Sequence, residues 1–548
     1  MAVFLNYKRA LAMLAADVRR RRSAFFVGAG VSMLAPTNLP SGHGLKQVCV
    51  ESIASRHSDL NRLGKQIDRT PRYGSIIPEL VFQPFFDILQ GRMLAFFRYL
   101  ALASHNKGHA VLARFSSAKQ PILTTNFDVL IEAAGGAGVL HLHGDVDHEQ
   151  ELVFRINQVG KQLAPILRRK LLASIRDRTV YVLGYSGADR DIVSLLRESR
   201  CRRFVWFIHP KTRKNAPALL EALKLRQSCQ FVVVDLNVLF RDLARTFGVT
   251  TGAGRNLTSE RKRYIANWSR SIRTGEAWAC LSRLLLLLER YEQARAVLMH
   301  GMRYQNRQLR SSWFLNEAAN AMKLAGRFDE AQQLAKRALA HNRRPIDYPL
   351  RGGSLNIIGL SQLEQRHPQP KAALRELKKA LDTVSGKAHS SSDRLLRGKL
   401  QAFSARLYNN MGLAEDQLNH WAAAIPLYKR SVRIKRKLGD LPGIAVTAAN
   451  LCLAYYKRKQ FANAARWKRE ALDIITRYER EFDRAYLLRR LGEISCDQGR
   501  TSKGVSLMRE ALRIYENNPD LAFGVQLTRD EIQSVLRSSK RSAAAARK

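Results

Sequence analysis

The sequence predicts an α/β domain built on a parallel sheet, followed by an all-α solenoid of helical repeats. Three observations carry this. Short apolar runs alternate with helical stretches up to about residue 250, strand-like runs vanish after a Gly/Thr/Ser-rich stretch at 250–261, and one motif recurs six times between about 275 and 516. At 548 residues the chain also exceeds what one hydrophobic core usually supports. The expected division is a domain over 1–250, a linker over 251–262, repeats over 263–516, and an extension with a frayed basic tail over 517–548.

Six runs read as buried strands: AFFVGAG (24–30), PILTTNFD (121–128), GVLHLHG (138–144), TVYVLGYS (179–186), RFVWFIHP (203–210) and QFVVVDL (230–236). Each is rich in β-branched or aromatic residues and is stopped by Gly, Asn or Pro. Continuous apolar strands alternating with helices predict a Rossmann-like parallel sheet covered on both faces. The N-terminal segment reads as a covering helix. Its four arginines, Arg19–Arg22, follow the apolar residues, opposite to the order in a signal peptide. In open parallel sheets ligands bind beyond the carboxyl ends of the strands. The unusual polar and glycine positions of this half fall there: Gly28 and Gly30, Asn126 and Asp128, His143, then Ser186 and Asp189. The dinucleotide pattern G-x-G-x-x-G is incomplete, since Met33 occupies the third glycine's place.

The repeat begins with an aromatic residue, followed by a small residue three later and another small residue seven beyond that. It stands as Tyr291/Ala294/Gly301, Phe328/Ala331/Ala338, Trp421/Ala424/Ser431 and Phe461/Ala464/Ala471, with degraded copies at Pro370/Ala373/Ala380 and Thr501/Gly504/Ala511. Small residues seven apart share one helical face and let a neighbouring helix approach closely. Ala321, Ala414 and Ala454 recur ten residues before their anchors and mark a preceding helix. The pattern is similar to tetratricopeptide repeats of about 40 residues, whose stacked helix pairs present a groove to a protein partner.

A formal charge of +46 raises the question of a polyanionic partner. Residues 1–255 hold 37 Lys+Arg against 19 Asp+Glu, and the remaining 293 hold 55 against 27. The excess is therefore spread along the chain, whereas a nucleic-acid module concentrates it and interleaves aromatics, so nucleic acid is the less favoured partner. No apolar run reaches membrane-helix length; the nearest is Leu284–Leu288, between Arg283 and Glu289. A cytoplasmic, homo-oligomeric protein without membrane contact is expected. The six cysteines contain no C-x-x-C pair, which leaves no zinc or disulfide framework and reads as small buried hydrophobes in a reducing compartment.

Taken in order, GAGVS (28–32), LPSG (39–42), TTNFD (124–128), LHLHG (140–144) and GYSGAD (184–189) resemble the sirtuin-type NAD-binding domain, over roughly residues 20–245. The closer likeness is to bacterial sirtuin-like effectors of antiphage defence. The resemblance implies NAD as substrate and no metal. It implies Gly28, Ala29, Gly30 and Ser32 at the phosphates and ribose, Asn126 and Asp128 around the reacting end, His143 as base, and Gly184, Tyr185 and Ser186 on the adenosine side with Asp189 as a brace. One departure matters: protein-deacylating sirtuins carry a zinc ribbon of two C-x-x-C pairs after the histidine, and no cysteine lies between His143 and Gly184.

The resemblance therefore implies hydrolysis of NAD at the nicotinamide N-glycosidic bond, ahead of deacylation or ADP-ribosyl transfer; a further alternative is a sensor that binds NAD or ADP-ribose without turnover. Such hydrolysis needs a well-placed water more than a strong acid. Asn126 can hold that water or a ribose hydroxyl, and His143 can accept its proton. Glycines at 28 and 30 are expected to leave room for the diphosphate, met by main-chain N–H groups at a helix start. Other readings of the same residues are local. Asn126 and Asp128 can cap the following helix, His141 can be a packed neighbour, and His109 reads as structural. Ser186 is not a hydrolase nucleophile, because GYSGA lacks the second glycine of the G-x-S-x-G elbow.

Overall fold

Seven strands form one wholly parallel sheet: β1 Val3–Phe4, β2 Ser23–Val27, β3 Ile122–Thr124, β4 Leu140–His141, β5 Thr179–Leu183, β6 Arg203–Ile208 and β7 Cys229–Val233, in the spatial order β1-β7-β6-β5-β2-β3-β4. The structure, a computed structural model, describes residues 3–545 apart from 160–162, 188, 224–227, 251–253, 305–309, 342–347, 391–393, 479–480 and 518–521. All six expected strands are present. The additional one, β1, is a two-residue edge strand with exposed side chains, and so has no apolar run to announce it.

The central strands are buried on both faces because each face carries its own core. Phe25 and Val27 of β2 point into a cluster with Leu14, Leu112, Phe115 and Leu243, from the helices Tyr7–Arg19, Lys107–Ser117 and Leu236–Phe247. Ala24 and Phe26 point the other way, against Leu171, Ile175, Ile192 and Leu196, from Pro165–Ile175 and Arg190–Glu198. The side-chain period of two thus becomes two separate packing layers. The chain runs β2-β3-β4 outward in one direction, then returns to β5 on the other flank of β2. That reversal puts the topological switch point at the carboxyl ends of β2 and β5, where folds of this kind bind their ligands.

The molecule divides into two compact units, residues 1–55 with 85–272, and residues 56–84 with 273–548. The chain therefore passes between the units three times. Helix Thr258–Arg270, which begins inside the expected linker, is part of the first unit: Arg261 donates to the carbonyls of Thr37 and Asn38, and the Tyr264 hydroxyl to that of Ala95. The linker residues 251–253 lie outside the described residues. Conversely, segment 56–84 packs with the repeats. His57 sits among the rings of Trp278, His300 and Tyr304, and Arg72 meets the fully buried Glu289 at 2.6 Å.

Among the described residues of the second unit six helix pairs follow one another, each helix packing on its neighbours in sequence, and from the second pair on each first helix packs also on the next first helix. The second helices, Tyr291–Gly301, Phe328–His341, Pro370–Ser390, Trp421–Leu438, Phe461–Tyr478 and Thr501–Glu516, all begin on the first residue of the motif. The small residues explain themselves. Ala294, Ala331, Ala373, Ala424 and Ala511 are buried, and a Cβ on Gly301 would lie 2.7 Å from that of Trp278. The last helix, Ala522–Ala545, runs through the stretch expected to fray, and 546–548 lie outside the described residues. No described helix is long and apolar enough to cross a membrane.

Candidate functional site

The glycines at the ends of β2 and β5 exist for one another. Gly28 N–H donates to Leu183 O and Gly30 N–H to Gly184 O, both at 2.9 Å. A Cβ on Gly28 would stand 2.6 Å from Gly184 O, one on Gly30 2.7 Å from Gly184 Cα, and one on Gly184, whose φ is +64°, 2.7 Å from Val31 N. Two strand-end turns are thus pressed backbone to backbone, a contact only glycine permits. These contacts account for glycine at 28, 30 and 184 from within the protein itself. The segment after Gly28 is a run of turns, and the amides of Val31, Ser32 and Met33 bond to Gly28 O and Ala29 O within it. The next helix is Gly42–Ala54, capped by Ser41 of LPSG, whose Oγ accepts from Gly44 N–H.

Ser32 is the hub of the site. Its hydroxyl donates to Asp128 Oδ2 at 2.8 Å, accepts from Asn126 Nδ2 at 3.2 Å, and lies 3.1 Å from His109 Nε2. The tautomer of His109 follows from its other nitrogen. Nδ1 accepts the backbone N–H of Asn106 in a capping box at the start of Lys107–Ser117, so Nε2 carries the proton and donates to Ser32. Burial, with His105 nearby, pushes the His109 pKa down to about 3, which keeps the ring neutral. Ser32 Oγ is therefore saturated by side chains of this chain. It joins the turn after β2, the segment after β3 and helix Lys107–Ser117. His109, read from the sequence as structural, belongs to the site's scaffold.

Asn126 is held at three of its four polar groups. Its N–H donates to Thr124 Oγ1 at 3.0 Å, its carbonyl oxygen lies 3.1 Å from His141 Nδ1, and its Nδ2 reaches Ser32. The fourth, Oδ1, is buried without a partner. Buried acceptors are nearly always bonded, so an orphan aimed at nothing within the protein is the feature expected of a group kept for a ligand or water. Asp128 is buried. Desolvation raises its pKa against the Ser32 and Leu130 N–H hydrogen bonds, which favour the carboxylate.

The remaining expected residues lie on the neighbouring strand ends. β4 stops at His141, so His143 lies in the loop past it. The loop is tied to β3 by Leu142 N–H to Thr124 O and Val146 N–H to Phe127 O, which bracket Asn126 on one side and His143 on the other. His143 is buried, and its carbonyl accepts from Val153 N–H. Gly144, with φ +74°, abuts Glu151 O. Ala29 is half-buried in the β2 turn, Ser186 is exposed, and Asp189 is the N-cap residue of Arg190–Glu198. Hydrogen bonds thus unite Ser32, Asn126 and Asp128, backbone contact unites Gly28, Gly30 and Gly184, and the loop bonds of Leu142 and Val146 tie the segment that carries His143 to the segment that carries Asn126. Thr124, His109 and His141 were not singled out as site residues; only the bonding shows their place in it.

A protein-family model, the SIR2-like domain, matches residues 133–226, from just before β4 to the end of the chain's approach to β7. This stretch is similar to a SIR2-like domain. The match takes in His143, Gly184, Ser186 and Asp189 and points to NAD-related chemistry in general. No curated protein matches the chain by sequence. Similar solved structures include the Rap protein complexed with Competence and Sporulation Factor (13% identity, covering 59% of this chain and 93% of that one, TM-score 0.36). Two others are BtubC (BKLC) from P. vanneervenii (19%, 42% and 89%, 0.30) and aspartyl phosphate phosphatase F from Bacillus subtilis (10%, 61% and 88%, 0.34).

Proposed function

We propose that the SIR2-like unit hydrolyses NAD at the nicotinamide N-glycosidic bond, releasing nicotinamide and ADP-ribose, and that the protein is an antiphage effector gated by its repeat array. The observation that carries the reading is the orphaned Oδ1 of Asn126, left over when every other polar group of that residue is tied down. That donor set fits NAD: an acceptor for a water or ribose hydroxyl stands on the strand end next to the one that leads to the buried His143.

In this reading Asn126 Oδ1 accepts a hydrogen bond from the attacking water or a ribose hydroxyl, and His143 takes the proton that water gives up. The C–N bond breaks with its electron pair leaving on nicotinamide, which departs neutral, so no side chain has to donate a proton to it. Positive charge develops on the ribose carbon, and the buried Asp128, two residues from Asn126, favours it. Ser32 and His109 act on Asn126, not on the substrate. Unrestrained hydrolysis depletes the cell's NAD, so a gate is required. Support for placing it in the repeats is the segment 56–84, which leaves the SIR2-like unit, packs among the first repeat helices and returns.

The test is incubation of the full chain with NAD, alone and with extract of infected cells, while free nicotinamide and ADP-ribose are measured. Acyl-ADP-ribose or modified protein would instead identify a deacylase or transferase, and saturable binding without loss of NAD a sensor.

A further inference from the structure

The His141 ring faces two oxygens. Nδ1 lies 3.1 Å from the carbonyl of Asn126 and Nε2 lies 2.9 Å from Glu132 Oε1, on the short helix Leu130–Ala133. A carbonyl and a carboxylate only accept, so both ring nitrogens donate and the ring is an imidazolium. We propose that His141 is a positioning residue: as a cation held by Glu132, it clamps the Asn126 peptide and keeps Oδ1 of that residue in its orphaned, substrate-ready orientation. The inference rests on the NAD-hydrolysis reading for its kinetic consequence, and on bond geometry alone for the clamp.

The clamp completes a set. Thr124 fixes the Asn126 N–H, Ser32 fixes Nδ2, and His141 fixes the carbonyl. Removing any one lets the residue turn. The charged groups facing His141 come from three elements: Glu132 on its helix, Asp128 after β3 and Asp145 after β4. Burial disfavours the cation, but the Glu132 hydrogen bond and charge, with the Asn126 carbonyl and Asp145, outweigh it and leave the His141 pKa raised. When the ring loses a proton at higher pH, one of its two bonds must go. The charge-assisted bond to the carboxylate is the stronger, so the Asn126 carbonyl is the one released.

The experiment combines steady-state NAD hydrolysis against pH with histidine NMR of the full chain labelled at ¹³Cε1. In the parent, kcat is expected to fall on the alkaline side through one ionisation while KM stays constant. His141→Asn keeps a donor where Nδ1 stands and should retain kcat within about threefold and lose the pH limb. His141→Gln places its donor toward Glu132 instead and should lose about 10²-fold in kcat, as expected for a displaced reacting group. In Glu132→Gln the neutral ring can accept from the new amide at Nε2 and still donate to Asn126, so the alkaline limb should disappear. A merely structural histidine would make the Asn and Gln variants alike, and that result overturns the proposal. The NMR arm stands without turnover: the resonance missing in His141→Asn should titrate above ordinary histidine in the parent and move down in Glu132→Gln. A resonance that titrates at or below the ordinary value, or ignores Glu132→Gln, overturns the clamp even if NAD is hydrolysed. If the parent does not hydrolyse NAD but the NMR shifts appear, the clamp stands and the hydrolase reading falls.

Discussion

Replacing Ser32 by alanine separates a scaffold hub from a ligand contact. The side chain is 2% exposed, and its hydroxyl serves three partners. Alanine leaves the His109 Nε2–H without an acceptor and removes one of the two hydrogen bonds that hold the Asp128 carboxylate. Both residues are buried, whereas the half-buried Asn126 amide can turn toward solvent. An unpaired buried polar group costs about 1–3 kcal/mol, so two give roughly 3 kcal/mol once partial relaxation is allowed. That corresponds to about a 10²-fold rise in the local opening equilibrium. Hydrogen exchange of the full chain, followed by mass spectrometry, should show this in peptides spanning β2, β3 and the start of Lys107–Ser117, with the repeat helices unchanged. Because Asn126 loses its anchor, kcat should fall with it. On a His109→Ala background the same substitution should cost at least about 1 kcal/mol less, since the two share one bond. Exchange within about twofold of the parent, with a rise in KM alone, would refute the hub and restore Ser32 as a substrate contact.

Other outcomes follow from the same geometry. Gly184→Ala forces a Cβ to 2.7 Å from Val31 N at φ +64°, and should cost about 2 kcal/mol or more, a fall of roughly 4–8 °C in the Tm of that unit by calorimetry. His109 is held neutral down to about pH 3 in the fold but protonates near 6.5 when unfolded, so the unfolded chain binds more protons between these values and stability falls as pH drops through that window; His109→Asn should flatten the acid limb of a Tm–pH curve. Arg72→Ala removes the 2.6 Å ion pair at the buried Glu289 carboxylate, should cost about 3 kcal/mol, and should speed protease cleavage within 56–84.

The sheet was legible because its inner strands are buried on both faces and so are continuous apolar runs; β1, two exposed edge residues, carried no such signal. The repeat phase was legible because helix–helix contact admits only small side chains at Ala294, Ala331 or Gly301, and chemistry of that kind recurs in the sequence. The site was legible in its residue types but not in its bonding. Gly28 and Gly30 were read against a ligand, yet the atoms they make way for belong to Gly184 and Tyr185, more than 150 positions away. His109 reads from the sequence only as structural, while the bond that places it reaches Ser32 across 77 positions. The same limit hid the attachment of 56–84 to the repeats, since the partners of His57 and Arg72 lie more than 200 positions downstream.

The most direct measurement is the product balance of the purified full-length protein with NAD in the presence of its trigger, compared between the parent and Asn126→Ala. The parent should release nicotinamide and ADP-ribose in equal amounts, and the variant should fold normally and release neither. Equal turnover by both proteins would contradict the assignment of the strand-end cluster as the catalytic site.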